Sequence, residues 1–497
     1  MNTMKTDFQD IDQLINLSRQ SSDFKTSQIC TSGQQVSISY FKSLIDDKLL
    51  QFNVIIPLQN HTMLSELNQI EDLKEWLPTD DIEITDNVED IQAKLFKGHA
   101  IVELEGHDRK FVLVNVASKE GLRKDNNTEN EFSVVGPKVG FVEDIDTNIR
   151  LLRAQINIPN LIVKELTIGS TSKTRVSVIY IDGVTNPQII QTTEQRLKQI
   201  DYDVIWDSSI LDQFISDNSS TPFPLFLTTE RRDRVVYALI SGQVAIVSDG
   251  SPYFVTGPST LFDFFISPED YYLPWILASF FRMIRIFGVI FSLIATSFYI
   301  AITTFHYEVI PRDLLEPLIY SRRNVPFPPF IEVLFLEITI EFLREAGARL
   351  PSKIGQTLGI VGGIIIGQAT VQAGLTSNIL VIIVAFSALA SFATPIYKMS
   401  NAIRFLRFPM IAMTSIWGGI GLFMGITLLI VHISRLTSLG TPYMVPIYPL
   451  RVHDLRDSFI RPSYQYINFR MRFLRPLSLI KYKPKPVRRK HGFDDDE

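Results

Sequence analysis

Residues 286–305, IFGVIFSLIATSFYIAITTF, decide the fold of this chain. They form an uncharged apolar run of the length, about 20 residues, that a helix needs to cross the hydrocarbon core of a bilayer. Arg282 and Arg285 precede the run, as is typical of a cytoplasmic flank. Three more apolar stretches follow, at 354–372, 377–397 and 408–433. Together they predict an all-α multi-spanning membrane domain over residues 286–433.

The segment 330–347 differs from these spans because glutamates interrupt its apolar residues. They are Glu332, Glu337, Glu341 and Glu345. Four central acids cost roughly 10–14 kcal/mol on an insertion scale, whereas ten strongly apolar residues return only about 3–6 kcal/mol. We therefore predict an amphipathic acidic helix that lies in the membrane interface or lines a water-filled vestibule.

The last three of these glutamates fall on one helical stripe, which we predict to be an acidic vestibule that attracts cations. Arg344 and Arg349 stand at helical spacing from Glu341 and Glu345, so a self-neutralised helix end is the alternative.

Four spans return the C-terminal tail to the cytoplasm but leave the basic loop 398–407 outside. A fifth span over 330–347 would bring that loop inside and place the more basic tail outside.

Short strands alternate with helices before the first span, which indicates an α/β soluble region. Residues 100–104 and 110–116 predict a hairpin. A strand at 175–181, a helix at 187–200 and a short strand at 203–206 imply a βαβ crossover, and 235–240 is predicted as a further strand. The predicted units are a mobile N-terminal arm (1–34), subdomain 1 (35–145), α/β subdomain 2 (146–268), a juxtamembrane linker (269–285) and, after the membrane domain, a basic cytoplasmic tail (434–497).

A small residue recurs at every fourth position of the second span. The positions are Gly355, Gly359, Gly363 and Gly367. Helices in lipid associate through close backbone approach, so this stripe predicts tight packing against a neighbour. The neighbour is either a helix of the same chain or a second subunit across a seam around a pore. The remaining face carries residues predicted to line a narrow, partly polar conduit: Val361, Ile365, Gln368 and Gln372.

The charge of the chain is unevenly distributed. The formal net charge is -5, yet residues 451–490 hold twelve lysines or arginines against Asp454 and Asp457. Beside a membrane domain, such a tail is expected to contact anionic membrane lipids or an acidic partner rather than nucleic acid. The first thirty residues contain no apolar run, which predicts no cleavable signal peptide and a cytoplasmic N-terminus.

The sequence gives little indication of catalysis. The motifs GxxxxGK[ST], HExxH and GxSxG are absent, and the histidines lack metal-ligand spacing. The single cysteine, Cys30, excludes an intrachain disulfide. We predict a protein that is not an enzyme and has no catalytic residue, metal or cofactor.

Several motifs, in order along the chain, carry a resemblance to a known family. They are Gly136-Pro137, Gly140-Phe141-Val142-Glu143, Pro222-Phe223-Pro224, Thr229-Glu230-Arg231 with Asp233, Pro268-Glu269-Asp270-Tyr271-Tyr272, Pro326-Phe327-Pro328, Arg344-Glu345-Ala346-Gly347 and Arg349-Leu350-Pro351, followed by the glycine stripe. Over nearly its whole length the chain resembles the A subunits of GerA-type spore germinant receptors. The resemblance implies a multi-pass subunit of the spore inner membrane that joins a nutrient-binding B subunit and a lipoprotein C subunit.

The resemblance also implies that this subunit is the homo-oligomeric, nutrient-gated, ion-conducting part of the receptor. Two other functions remain open, a membrane transporter and a non-conducting signalling scaffold. Transporters commonly contain inverted repeats, and the sequence shows no matching halves. Oligomer-dependent current, saturable uptake and absence of flux would distinguish the three.

Overall fold

The computed structural model describes residues 11–31, 34–61, 70, 73–79, 81–104, 110–118, 131, 135–349, 363 and 365–482. Two β-sheets follow one another along the chain, then a set of long apolar helices, and finally a tail that returns to the second sheet.

The first sheet is antiparallel, with the strand order β1-β2-β4-β5-β3. Its strands are β1 (Phe24–Thr31), β2 (Gln34–Phe41), β3 (Ile82–Thr85), β4 (His99–Leu104) and β5 (Phe111–Asn115). Its helices are α1 (Ile11–Ser18), α2 (Asp47–Leu50), α3 (Ile56–His61, after a π turn at Gln51–Ile55), α4 (Leu73–Trp76) and α5 (Val88–Leu95). Pairing of β4 with β5 confirms the predicted hairpin, whose turn lies outside the described residues.

The predicted mobile arm is wrong for residues 11–31, whereas residues 1–10 lie outside the described part. Helix α1 buries Ile11, Leu14 and Ile15, and β1 pairs with β2 along its whole length. The arm therefore belongs to the core of subdomain 1. Its polar composition misled the prediction because the buried face of α1 is only one side of a short helix.

The second sheet has the order β6-β7-β9-β10-β8, and all its pairings are antiparallel. Its strands are β6 (Leu161–Ile168), β7 (Thr174–Ile181), β8 (Leu227–Thr229), β9 (Val244–Ser248) and β10 (Phe254–Gly257), and its helices are α6 (Ile145–Arg153), α7 (Pro187–Lys198), α8 (Ser208–Ile215) and α9 (Arg232–Ser241). The predicted βαβ crossover is wrong, because residues 203–206 form no strand and β7 pairs antiparallel with β9. Residues 235–240 are helical because Val235 and Leu239, four positions apart, are both buried.

A buried ion pair joins the two sheets. Arg153 of α6 donates from Nε and Nη2 to the two carboxylate oxygens of Asp23, at 2.7 Å each. The hydroxyls of Ser21 and Ser43 donate to the same carboxylate. Burial alone would raise the pKa of Asp23, but the charge of Arg153 and these hydrogen bonds hold the pKa below its ordinary value.

Long helices follow the second sheet. They are α10 (Trp275–Ile300, continued by a π turn at Ala301–Phe305), α11 (Arg312–Arg322), α12 (Pro329–Ala348), α13 (Asn378–Phe392) and α14 (Tyr397–Arg435), with helical backbone also at 365–372, here called the glycine helix. Among the described residues, two helices, at 275–305 and 397–435, are long and apolar enough to cross a membrane. The first begins eleven residues before the predicted span, inside the predicted linker 269–285.

Helix α14 is a helical hairpin, because Gly418 has φ +59° and ψ -135°. A Cβ added to Gly421 would overlap the carbonyl of Met413, and one on Gly425 would overlap the sulfur of Met410. Residues 419–435 therefore run back along 397–417. The predicted single span at 408–433 is wrong, since an apolar run does not reveal a turn that a single glycine makes.

The helices have a near end, against subdomain 2, and a far end. At the near end Lys398 bonds Thr228 Oγ1 at 3.2 Å and His432 bonds Thr221 at 3.0 Å. At the far end the Nε2 of His306 accepts a hydrogen bond from the Gly419 N–H at 3.2 Å. The first arm of α14 therefore begins at the near end and the second arm ends there, with Gly418 between them at the far end.

The remaining helices alternate in direction. Ser387 of α13 donates to the Ser292 carbonyl of α10, and the hydroxyls of Ser377 and Tyr299 lie 3.2 Å apart, so α13 is antiparallel to α10. Helix α12 runs from the far end, where Glu332 accepts from the Ser377 N–H, toward the near end. The described part of the chain therefore contains five segments that run along the bundle, which are α10, α12, α13 and the two arms of α14, together with the short glycine helix between α12 and α13.

The near end of the bundle shares its core with the second sheet. Ile396, Met399 and Ile433 pack in one cluster with Phe223 and Tyr443. The tail also folds onto this unit: the Leu477 N–H donates to the Val184 carbonyl at 3.0 Å, and the strands β11 (Thr437–Ser438) and β12 (Thr441–Pro442) begin it. Short 3₁₀ turns follow at Val452–Asp457, Tyr464–Tyr466 and Arg472–Leu474.

Candidate functional site

A buried arginine connects four segments of the helical bundle. Arg407 donates from Nη1 to Glu337 Oε2 of α12 at 3.0 Å, and from Nη2 to the Ser387 carbonyl of α13 at 3.2 Å. The same Nη2 donates to the hydroxyl of Ser292 in α10. The side chains of Arg407 and Glu337 are each only 2% exposed. We call this group the arginine node.

A second buried carboxylate lies nearer the far end. Arg322 Nη2 donates to Glu332 Oε1 at 3.0 Å, and the backbone N–H of Ser377 donates to Oε2 at 3.1 Å. Glu332 is 1% exposed, and Asn378, which follows Ser377, begins α13. This carboxylate therefore fixes the end of α11 and the start of α13 to α12.

Helix α12 packs against α10, α13 and α14 with Glu332 and Glu337 buried, and its place in the membrane interface or along a water-filled vestibule stays a prediction. Glu332 and Glu337 pair with Arg322 and Arg407 of other helices, and a count of acids along one segment does not include such partners. The insertion cost calculated from the sequence assumed unpaired acids. Because these acids are paired, that cost does not exclude α12 from the bundle.

The three predicted vestibule glutamates occupy different surroundings. Glu337 belongs to the arginine node, and Glu341 accepts two hydrogen bonds from Arg344 with Arg404 at 3.6 Å. Glu345 is exposed and pairs with Arg349. The structure thus spreads them from the middle of the bundle to its near end, and their attraction of cations remains a prediction.

Five of the eight predicted seam and conduit residues lie within the described part of the chain. Gly363 and Gly367 are described, whereas Gly355, Gly359 and Val361 lie outside. Among the described residues, a Cβ added to Gly363 would meet nothing within 4 Å, and one on Gly367 would meet Val381 alone, at 3.9 Å. Of the predicted conduit residues, Ile365, Gln368 and Gln372 are all exposed. In this chain, then, the described part of the stripe is not closely packed.

A second charged cluster ties the first long helix to the soluble units and the tail. Arg282, fully buried in α10, donates to Asp270 at 3.1 Å and to Asp457 of the tail at 3.1 Å. Asp457 also accepts from the hydroxyls of Tyr237 at 2.9 Å and Tyr271 at 2.8 Å. We call this group the juxtamembrane latch.

Burial raises the pKa of both tyrosines well above its ordinary value, and the charge of Asp457 raises it further. Both hydroxyls therefore remain donors to Asp457 at any physiological pH. The latch joins Tyr237 of α9, the predicted linker, the start of α10 and the tail through Asp457 and Arg282.

Two arginines in the described part of the tail are buried and not available to lipid. Arg461 and Arg470 are each 2% exposed, and they donate to backbone carbonyls, including those of Leu273 and Ile240. Among the described residues, no group of three or more His, Cys, Asp or Glu is arranged to hold a metal ion.

Sequence reasoning missed the arginine node and the latch. A signal was present for the first, since a charged residue beside or inside an apolar helix marks an internal partner or a functional position. Arg407 immediately precedes a predicted span, but it was counted only as a loop charge. No local pattern indicates that Asp457 and Arg282 meet.

Comparison with known proteins identifies relatives over nearly the whole chain. The model of the family described as "Bacillus/Clostridium GerA spore germination protein" matches residues 12–473. Spore germination protein GerQA of Bacillus cereus is 44% identical over 490 residues, which cover 98% of this chain and 97% of that protein. Spore germination protein GerIA of Bacillus cereus is 47% identical over 491 residues, covering 98% and 72%.

A crystal structure of the N-terminal domain of the A subunit of the Bacillus megaterium spore germinant receptor GerK3 is also similar. It covers 50% of this chain and 94% of that chain, at 25% identity and a TM-score of 0.39.

Proposed function

The chain belongs to the GerA family of spore germination proteins, and on that premise we propose that it is the membrane subunit of a nutrient-germinant receptor that conducts ions as a homo-oligomer and so triggers germination. It acts with B and C subunits in the spore inner membrane, with both termini in the cytoplasm, and it performs no enzymatic step.

The dimensions of the bundle support a multi-pass arrangement. The arm 397–417 has 21 residues and a length of about 31 Å at 1.5 Å per residue, close to the thickness of a hydrocarbon core. Exposed aromatic residues lie toward both ends: Trp275 and Tyr397 at the near end, Tyr320 and Trp417 at the far end. Six crossings would place Lys398, at the start of α14, on the same side as the tail, whereas Arg404 and Arg407 of the predicted loop lie buried within α14, so the conflict that four spans create does not arise.

The observation that carries the oligomeric pore is the uncovered glycine helix. The exposed amides of Gln368 and Gln372 are costly in lipid, since polar side chains there need partners or water. The open space beside Gly363 allows a second copy to approach closely. An oligomer that arranges this helix around a water-filled lumen would hydrate the two amides and would let a second copy pack closely beside Gly363.

Gating then requires two states of these helices. A nutrient bound to a partner subunit shifts their populations only by its difference in affinity for the two states. The juxtamembrane latch offers a rigid connection from the soluble units to α10, and Glu345 at the near end would lie at the mouth of the conduit.

The test is ion flux from liposomes that contain the purified chain, alone and with its presumed B and C subunits. Gln368→Leu should change the flux, whereas Ser415→Ala, at a half-buried position on another helix, should not. Absence of flux from every oligomeric preparation would favour the scaffold, and saturable, stoichiometric uptake of a solute would favour the transporter.

A further inference from the structure

The part of the tail that follows β12 carries an exposed apolar patch. Ile447, Tyr448, Leu450 and Val452 are four large apolar or aromatic side chains within six residues, and the last three are 60–68% exposed. We call residues 447–452 the apolar loop. An exposed patch of this kind marks a contact with a membrane or with another protein.

Backbone hydrogen bonds close the apolar loop into a turn. The N–H groups of Ile447 and Tyr448 donate to the Met444 carbonyl at 3.0 and 3.2 Å. The Arg451 N–H donates to the carbonyl of Pro446 at 2.9 Å, and Pro446 itself is buried. The turn therefore has a buried base and an exposed apolar tip.

The start of the apolar loop lies beside the near end of the bundle. The Tyr443 N–H donates at 2.9 Å to the carbonyl of Leu436, the residue that follows the last residue of α14. Met444 packs against the cluster that contains Ile396 and Ile433, which lie at the two near-end termini of α14. The loop thus begins at the level where both arms of α14 reach subdomain 2.

The end of the apolar loop is attached at the junction of subdomain 2, α10 and the tail. Five residues after Val452, the carboxylate of Asp457 accepts a hydrogen bond from Arg282 of α10 at 3.1 Å. Arg282 immediately precedes the uncharged run 286–305, so this attachment lies where α10 would leave the membrane. Both ends of the loop are therefore held at the membrane end of the bundle.

The chemistry of the apolar loop fits the boundary between headgroups and acyl chains. A tyrosine such as Tyr448 places its ring in the apolar layer and its hydroxyl among the headgroups. Arg451 within the loop and the exposed Arg435 at the end of α14 favour anionic headgroups, and residues 436–453 contain no Asp or Glu. Apolar side chains flanked by basic residues are typical of interfacial anchors.

We propose that the apolar loop inserts into the headgroup layer of the membrane leaflet at the near end. The contact is made by apolar side chains, whereas the composition of the tail predicted a contact through its basic residues. Because Asp457 of the latch follows the loop, the bilayer would hold the tail where the latch forms. The inference rests on the multi-pass arrangement in the proposed function and adds a lipid contact that no crossing helix supplies.

The test is quenching of tryptophan fluorescence by brominated lipid. The full chain is placed in vesicles of phosphatidylglycerol and phosphatidylcholine, with the phosphatidylcholine chains brominated or not. The native tryptophans are replaced by phenylalanine, and Tyr448→Trp adds one reporter to the loop. We expect this reporter to lose as large a fraction of its fluorescence as a chain that retains only Trp417, at the far end of the bundle. A chain that retains only Trp76, in α4 of subdomain 1, should lose none.

Two substitutions in the tail provide a matched comparison. Leu450→Asp, added to the reporter chain, should remove most of the quenching, because a carboxylate is costly among acyl chains. Leu477→Asp should leave the quenching unchanged: Leu477 is 62% exposed, and its N–H donates to the Val184 carbonyl of subdomain 2. If the chain without native tryptophans fails to fold, Leu450→Cys in a Cys30→Ser background carries an environment-sensitive fluorophore instead, with Leu477→Cys as its control.

The remaining outcomes separate this proposal from the membrane arrangement on which it rests. Quenching of Trp417 without quenching at position 448 would overturn the insertion of the loop and leave the multi-pass arrangement intact. Absence of quenching at both positions would overturn both. A reporter at position 448 that is unquenched, with emission that shifts to shorter wavelength only in oligomeric fractions, would replace the lipid contact by a contact between copies.

Discussion

Arg407 and Glu337 stand 70 residues apart in the chain, yet Arg407 Nη1 lies 3.0 Å from Glu337 Oε2 inside the helical bundle. Because the same guanidinium also reaches Ser387 and Ser292, one side chain fixes three neighbouring helices relative to its own. A buried charge left without its partner is strongly destabilising, which makes this pair a sensitive test of the bundle.

Glu337→Gln should therefore lower the free energy of unfolding by about 3 kcal/mol or more, since Arg407 stays buried without a counter-charge. Thermal unfolding of the detergent-solubilised chain measures the effect. Glu345→Gln is the matched control, because the pair of Glu345 with Arg349 is exposed and should contribute nothing measurable. Equal midpoints for the two variants would exclude the arginine node as a structural centre.

Gly418→Ala should disrupt the far-end turn of α14. The backbone at Gly418 has a positive φ, and a Cβ there would press into the ring of Phe305. We expect a loss of about 1–3 kcal/mol in unfolding experiments. Gly363→Ala is the control in the same assay, because its Cβ meets open space within the chain.

Gly363→Ala should instead reduce the assembly of the chain into oligomers. If the glycine stripe is a seam between copies, the added methyl holds two helices apart and reduces the oligomeric fraction in cross-linking or light scattering. Normal assembly together with normal germination of spores that carry this variant would leave the seam without support.

The six-crossing arrangement predicts which positions share a side of the membrane. In a Cys30→Ser background, Tyr397→Cys and Arg435→Cys should react with an impermeant maleimide from one side, and Trp417→Cys only from the other. The four-span arrangement requires Tyr397 and Arg435 to lie on opposite sides. The labelling pattern in sealed vesicles therefore decides between the two.

Asp457→Asn should open the juxtamembrane latch. The carboxylate accepts from Arg282, Tyr237 and Tyr271, and an amide cannot balance the buried guanidinium. Limited trypsin digestion should then release the tail several times faster than in the unaltered chain. Asp313→Asn, at an exposed far-end position, should not change the rate.

The stability of the junction should also depend on pH through Asp263. Burial raises the pKa of this carboxyl to about 6, from 3.8 in the unfolded chain. The folded state therefore binds more protons between these values, so stability from this group falls as pH rises from about 4 to 6. On acidification from pH 7 to 4, the unaltered chain should gain on the order of 2–3 kcal/mol relative to Asp263→Asn, measured as the difference in unfolding free energy. A pH-independent difference would contradict the buried, ionisable state of Asp263.

The sequence by itself determined the features that depend on local composition. Apolar runs such as 286–305 predict long helices because a helix in lipid must satisfy its own backbone groups. Alternation at 100–104 and 110–116 predicts the hairpin, and the ordered motifs from Gly136 to Pro351 indicate the family. These inferences needed only neighbouring residues or their order.

Only the tertiary structure decided which charges meet and where the chain reverses. From the sequence alone, four glutamates argue against α12 as a membrane span. In the structure Arg407 and Arg322, distant in sequence, pair with two of these glutamates. The hairpin at Gly418 depends on the backbone angles of one residue, and a hydropathy profile contains no information on backbone angles. Burial couples charges through space rather than along the chain, so the proposed number of crossings rests on packing and not on a count of apolar stretches.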